Sequence, residues 1–400
     1  TRTIADPFYG AKLTGKVGRT TVGVIYANDA APGTGEDAAD PAFEQSAQTF
    51  VGRVRYDLYA ESHIGALVTD RELLDSHSRL TGLDSNFRLG DTHSVAFRAM
   101  GTQHRDLDGV ETSGHYLEAV FRKQGRNLTY RLISYMLSPD FKTDVGFVRR
   151  TDQRRTFGNV AYRWWPEDWI VSWGPQARYA RNYQFDGSLQ DENAEVGLNV
   201  DFARNISVNS EVSRDMERYE GINFFKTRYR LFGRISTSRR FGIGGGVNRG
   251  DEIFFDPADP YLGYETSLFS FISLQPISRL QSQININASR FTDSRNGDVE
   301  VFDVKILRAL TTYQFTERFL FRNISEYNTF EKTLGLNFLL TYRVNSGTVF
   351  YVGYDDHYQQ ADLIERDRDG DGIEDQLFTT TGRKRTNRAV FLKFQYLFRL

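Results

Sequence analysis

The feature that most constrains this chain is an alternation of apolar and polar residues with a period of two, repeated almost from end to end. Ala194, Val196, Leu198, Val200 and Phe202 share one parity; Glu195, Gly197, Asn199 and Asp201 share the other. Phe225, Thr227, Tyr229, Leu231 and Ile235 alternate with Lys226, Arg228, Arg230 and Arg234. Val54, Tyr56, Leu58 and Ala60 alternate with Arg53, Arg55 and Asp57, and Leu280, Ile284, Ile286 and Ala288 with Gln281, Gln283, Asn285 and Asn287. Successive side chains of a strand point to opposite faces, so each stretch reads as a strand with one apolar and one wet face. One such strand fits any half-buried sheet. A long succession, each of about ten residues, fits a transmembrane antiparallel β-barrel, whose outer face meets lipid and whose inner face meets water.

Composition agrees. The 400 residues include 31 Phe and 21 Tyr, yet the mean hydropathy is only -0.50. No apolar run approaches the roughly 18 residues of a membrane helix. There is no cysteine, and the net charge of -2 gives no reason to expect nucleic acid as a partner. The expected surroundings are the lipid of a bacterial outer membrane.

Tight turns are expected near Gly18, Glu61-Ser62, Gly125-Arg126, Pro166-Glu167, Ala203-Arg204, Arg239-Arg240, Ser278, Glu317 and Ser346-Gly347. Longer polar loops are expected over Asn28–Ala47, Gln103–Ser113, Pro139–Gln153, Gly250–Leu262 and Gln360–Lys384. This matches short periplasmic turns and longer extracellular loops around about 20–22 strands in one domain. The last strand, with Leu392, Phe394, Tyr396, Phe398 and Leu400 on one parity, is expected to end in the periplasm. Phe8–Val17 reads as a strand running the same way. Two such strands cannot close a barrel antiparallel. One more strand, from residues upstream of Thr1 or from a partner chain, is therefore expected between them; the alternatives are a parallel closure of the two or a strand count that is off by one.

Several stretches resemble a known family. Gly10–Gly18 (GAKLTGKVG), Val51–Tyr56 (VGRVRY), Ile64–Arg71 (IGALVTDR), Phe147–Asp152 (FVRRTD) and the terminal Tyr396–Leu400 (YLFRL) resemble an uncharacterised bacterial outer-membrane barrel domain. That domain usually follows a family-9-type carbohydrate-binding module. The resemblance covers most of the chain and rests on structural motifs. It implies an outer-membrane barrel with an upstream carbohydrate-binding domain, and it names no substrate.

The sharpest chemical motif is Asp367, Asp369, Asp371, Gly372, Ile373 and Asp375. Carboxylates at positions one, three, five and nine, with the Ile373 carbonyl, can converge on one Ca2+ ion. Phe378 stands where a full EF-hand has its bidentate Glu. The alternative is a solvated acidic loop. If the motif binds, calcium protects the 360–384 loop from proteolysis on intact cells. Asp369→Ala with Asp371→Ala then abolishes that protection while the barrel stays folded. Equal cleavage with calcium and with chelator would reduce the motif to a solvated loop.

Arg53, Arg55, Lys226, Arg228, Arg230 and Arg234 share the wet parity and are expected to line the pore. An inward basic row biases a pore toward anions; the more economical reading is neutralisation by inward acids such as Glu118, Asp201 and Glu211. Gly242, Gly244 and Gly246 share that parity too, and are expected to bend the strand beneath an aromatic such as Phe232; the alternative is a bare wall against which a plug or ligand lies. Trp164, Trp165, Trp169 and Trp173 around Pro166-Glu167 read as an interfacial girdle. The six histidines form no metal or catalytic motif, and no nucleophile–base pair stands out, so no enzyme is expected. The functions left are a channel or transporter-like pore for solutes or a partner, then a membrane anchor for a carbohydrate-binding or partner domain.

Overall fold

The computed structural model describes residues 7–30, 42–43, 45–345, 347–360, 365–366, 375–376 and 382–396. The strands are β1 (Pro7–Val17), β2 (Thr20–Asp29), β3 (Ala47–Asp57), β4 (His63–Leu73), β5 (Ser76–Leu89), β6 (His93–Arg105), β7 (Glu111–Gln124), β8 (Leu128–Leu137), β9 (Gln153–Tyr162), β10 (Ile170–Tyr183), β11 (Leu189–Phe202) and β12 (Ile206–Tyr219). They continue as β13 (Ile222–Ile235), β14 (Phe241–Phe254), β15 (Tyr261–Ile277), β16 (Leu280–Asp293), β17 (Val299–Gln314), β18 (Phe319–Asn328), β19 (Thr333–Arg343) and β20 (Thr348–Gln359), a minor pair β21 (Glu365–Arg366) and β22 (Asp375–Gln376), and β23 (Lys384–Tyr396). Leaving aside the minor pair, 21 strands take part in antiparallel pairing. The expected fold class, an all-β antiparallel barrel architecture of about this strand number, is what the chain adopts.

The chain divides into two compact units. The first comprises residues 1–163, 175–196 and 215–225; the second comprises 164–174, 197–214 and 226–400. In the first, a row of cross-strand partners runs Val54, Ala66, Leu83, Ala99, Leu117, Met136. Leu83 is 66% exposed and Leu117 45%. In the second, Leu231, Val247, Leu268 and Ala288 form the equivalent row. Contiguous bare apolar surface of this extent needs an apolar solvent. The other face inverts the pattern: Asn182, Asp215 and Lys226 are buried there. Each is held by an opposite or polar group, Asn182 by Asp191 at 3.0 Å, Asp215 by Asn193 and Lys226 by Glu252 at 2.8 Å. Buried charge survives only when so paired.

Two expected loops are shorter than the sequence suggested. β6 and β7 pair as far as Arg105 with Glu111, leaving only residues 106–110 between them. β14 and β15 pair as far as Phe254 with Tyr261. Polar residues at these ends continue the ladder because backbone pairing does not require an apolar side chain. On the side of the long loops, Leu74-Asp75 and Glu220-Gly221 alone join their strands. Glu220 and Gly221 both have positive φ, 47° and 78°. That is the backbone of a hairpin turn whose twist matches its strands.

Gly244 and Gly246 do sit beneath aromatics. Gly246 pairs with Phe232 on one side and Phe269 on the other, and those two rings stack at 5.8 Å. Phe271 covers Gly244, where an added Cβ would strike its ring. The cover is thus mainly Phe269 and Phe271, with Phe232 as their neighbour. Trp164 and Trp173 stack at 4.5 Å across the base of the turn, and Trp169 stacks on Phe202 at 5.7 Å.

A candidate lumenal site beneath the 138–152 loop

The polar face of the first unit is built in register rows. One row runs Asp84, Arg98, Glu118, Tyr135, Arg155, Asn182 across β5 to β10. Asp84 holds Arg53 at 2.9 Å and His63 at 3.4 Å. Glu118 pairs with Arg98 and accepts from the Tyr116 hydroxyl at 2.8 Å. The Tyr135 hydroxyl donates to Gln153 Oε1 at 2.9 Å. Alternating signs between neighbours stabilise a row that like charges would destabilise.

Above this row the wall turns apolar: Leu67, Leu80, Met100, Tyr116 and Leu137 share the polar-face parity. Bare apolar groups on a wet face need a cover, and the β8–β9 connection supplies it. Phe141 is buried against Leu80 and Leu137, with Leu67, Met100, Tyr116 and Val148 packed around them. Gly114 makes the approach possible: a Cβ there would fall on the backbone of Phe141. Farther along, the Asp144 amide donates to Ser78 Oγ at 3.0 Å, and its carboxylate lies 3.6 Å from Arg71 and 3.5 Å from His104. Arg150 reaches Asp191 at 3.4 Å, and Asp152 accepts from the Phe185 amide at 2.7 Å. Residues 138–152 therefore lie against the polar face at several points.

Between this loop and the wall is a cavity of about 640 Å³, lined by Phe147, Arg149 and Arg150 from the loop and Tyr116, Tyr135 and Arg155 from the wall. Phe147 is 81% exposed beside it. Aromatic faces next to guanidinium groups suit planar or anionic solutes. A larger cavity, about 1000 Å³, lies mostly over the apolar parity, where Ala66, Ala99 and Ala119 leave a dip between Leu83, Phe97 and Leu117. Most of it is lipid-facing surface, with Asp84, Arg98, Glu118 and Tyr135 of the polar row also along its lining.

The basic residues singled out from sequence are dispersed and mostly paired. Arg53 meets Asp84, and Arg55 meets Asp57 at 2.9 Å. Lys226 and Arg228 share Glu252, at 2.8 and 3.0 Å, and Arg230 lies 3.7 Å from Glu211. Arg234 sits over the Phe271 ring at 5.9 Å. Sequence reasoning missed Phe141 and Gly114, and it missed Glu252, whose strand it ended too early. Asp367, Asp369, Asp371 and Ile373 lie outside the described residues, as does the side chain of Asp375. Among the described residues no group of His, Asp and Glu could hold a metal ion.

No family model matches the chain, and no curated protein sequence does. Solved structures do. Pseudomonas aeruginosa FpvA, bound to heterologous pyoverdines, superposes with a TM-score of 0.52 at 10% identity, over 87% of this chain. The Acinetobacter baumannii siderophore receptor PirA gives a TM-score of 0.52 at 8% identity, over 94% of this chain and 74% of that one. The fold is that of an outer-membrane β-barrel. The chain spans 66% of the length of the FpvA chain. Among the described residues no helix is long and apolar enough to cross a membrane; strands do so instead. Such a barrel belongs in a bacterial outer membrane, its apolar parity toward lipid and its polar parity toward the lumen.

Proposed function

We propose that this chain is a channel or transporter-like pore for solutes, narrowed by residues 138–152. The observation that carries the reading is the seat of Phe141 on Leu80 and Leu137, side chains of the lumenal parity. A loop held there reduces the free cross-section. It also brings Phe147, Arg149 and Arg150 to the passage, and rings of charged side chains select what passes a pore. PirA is a siderophore receptor and FpvA binds pyoverdines, so the likeness in fold is compatible with transport across the same membrane.

Purified protein in planar lipid bilayers tests the reading. Stable, discrete conductance steps are expected. A protein that inserts, passes no current and retains a partner through stringent washing would instead be an anchor or assembly platform, as for an attached carbohydrate-binding domain. The loop's seat makes a separate prediction. Phe141→Ala is expected to leave strand content unchanged, because the residue belongs to a loop, while exposing 138–152 to added protease. Cleavage no faster than in the parent would contradict a loop held by that side chain.

A further inference from the structure

Most of the basic residues that stand out in the sequence meet an acid in the fold, but another pair does not. Arg122 on β7 and Arg131 on β8 are direct cross-strand partners. Both carry the lumenal parity of Glu118 and Tyr135. Directly opposed like charges destabilise a sheet, so acids are expected beside them. The ends of the same register row have acids: Arg88 pairs with Glu61 at 2.6 Å, and Arg178 with Glu195 at 3.0 Å. Between them the row reads Ser94, Arg122, Arg131, Asn159. Among the described residues neither Arg122 nor Arg131 has a carboxylate within ion-pair distance. The acids two lumenal rows above are engaged elsewhere, Asp84 by Arg53 and His63 and Glu118 by Arg98.

Arg122 and Arg131 open onto a cavity of about 210 Å³, with Arg98, His63, Ser94, Asn86 and the Asp84 carboxylate also lining it. Arg98 is engaged with Glu118, so its charge is balanced; those of Arg122 and Arg131 are not. A cavity this small excludes a peptide or a sugar chain. It admits a small oxyanion, and two guanidinium forks with a neighbouring hydroxyl match the oxygens of a phosphate or carboxylate group. A local rule broken without structural compensation marks a functional site more often than an accident.

We infer that Arg122 and Arg131 form an oxyanion-binding site on the lumenal wall, taking solutes that bear a phosphate or carboxylate group. The site names the solute class for the proposed pore, but its binding chemistry does not depend on conductance.

The test uses the folded full chain in detergent, with inorganic pyrophosphate as the probe at constant ionic strength. Pyrophosphate should bind in titration calorimetry and raise the unfolding temperature by RT ln(1 + [L]/Kd) stabilisation. Arg122→Gln with Arg131→Gln should weaken binding at least about tenfold, since both charged forks are lost. Without pyrophosphate, that double variant should unfold at a higher temperature than the parent, because the repulsion is gone. Arg131→Lys keeps the charge but loses the fork, and should fall between the two. Lys123→Gln, one residue along and on the opposite face, should bind as the parent does. Equal pyrophosphate affinity in parent and double variant, or no binding in the parent, would overturn the site. Binding without bilayer conductance would keep the oxyanion site and remove the pore.

Discussion

Replacing Ile286 with Arg is expected to cost about 2–4 kcal/mol of folding free energy, the penalty of a cation near the midplane of a barrel's lipid face. Ile286 lies midway along β16, between Ser270 of β15 and Leu307 of β17. Its parity is that of Leu268 and Ala288, the apolar row of the second unit. Asn287, the next residue, faces the other way, opposite Phe269 and Ile306. Asn287→Arg is therefore expected to cost less than about 1 kcal/mol, because water solvates the new charge. Urea-dependent folding into lipid vesicles measures both. Similar penalties for the two variants would mean that neither face is committed to lipid.

Gly114→Val is expected to lift residues 138–152 off the wall. The added Cβ would occupy the backbone of Phe141, and two methyl groups beyond it leave no accommodating shift on a paired strand. Losing the seat exposes Phe141, Leu80 and Leu137 together. Protease cleavage within 138–152 should accelerate by an order of magnitude or more, about 1.4 kcal/mol of lost docking per tenfold. Gly101→Val is the control, since nothing lies within contact distance of a Cβ at that position. Cleavage that is unchanged at Gly114, or raised equally at Gly101, would refute the docking.

The strands and their facing were legible because a period of two is written into most turn-to-turn segments. Leu231 and Arg230 needed only their parity to be placed. The ends of the strands were less legible. Gln103, His104 and Arg105 look like a loop, yet they pair with Ser113, Thr112 and Glu111; beyond the lipid boundary a strand loses its apolar half and hence its signal. The same cut hid Glu252. The acids first considered as counter-charges were Glu118, Asp201 and Glu211, and Glu211 does lie near Arg230. The partner of Lys226 and Arg228 is Glu252, in a stretch read as loop.

The candidate site was hidden for a different reason. Phe141 is one of two aromatics in a mostly polar connection, so no periodicity reports that it turns inward. The available signal was indirect. Leu80, Met100 and Leu137 are apolar on a parity that should be wet, and Gly114 leaves a gap in the same wall. An apolar patch on a lumenal face implies a cover; the sequence does not say which loop provides it. Arg122 and Arg131 were invisible for a related reason: without the β7–β8 register they are two arginines among many, and with it they stand face to face.

Single-channel current through the purified protein, with and without residues 139–147, tests the central claim most directly. The parent should give stable steps of one size. Deleting the segment that carries Phe141 and Phe147 should raise that step severalfold while leaving the strand content intact, because the segment lies wholly within the β8–β9 connection. A step size unchanged by the deletion, or no current from either folded protein, would contradict a passage narrowed by this loop.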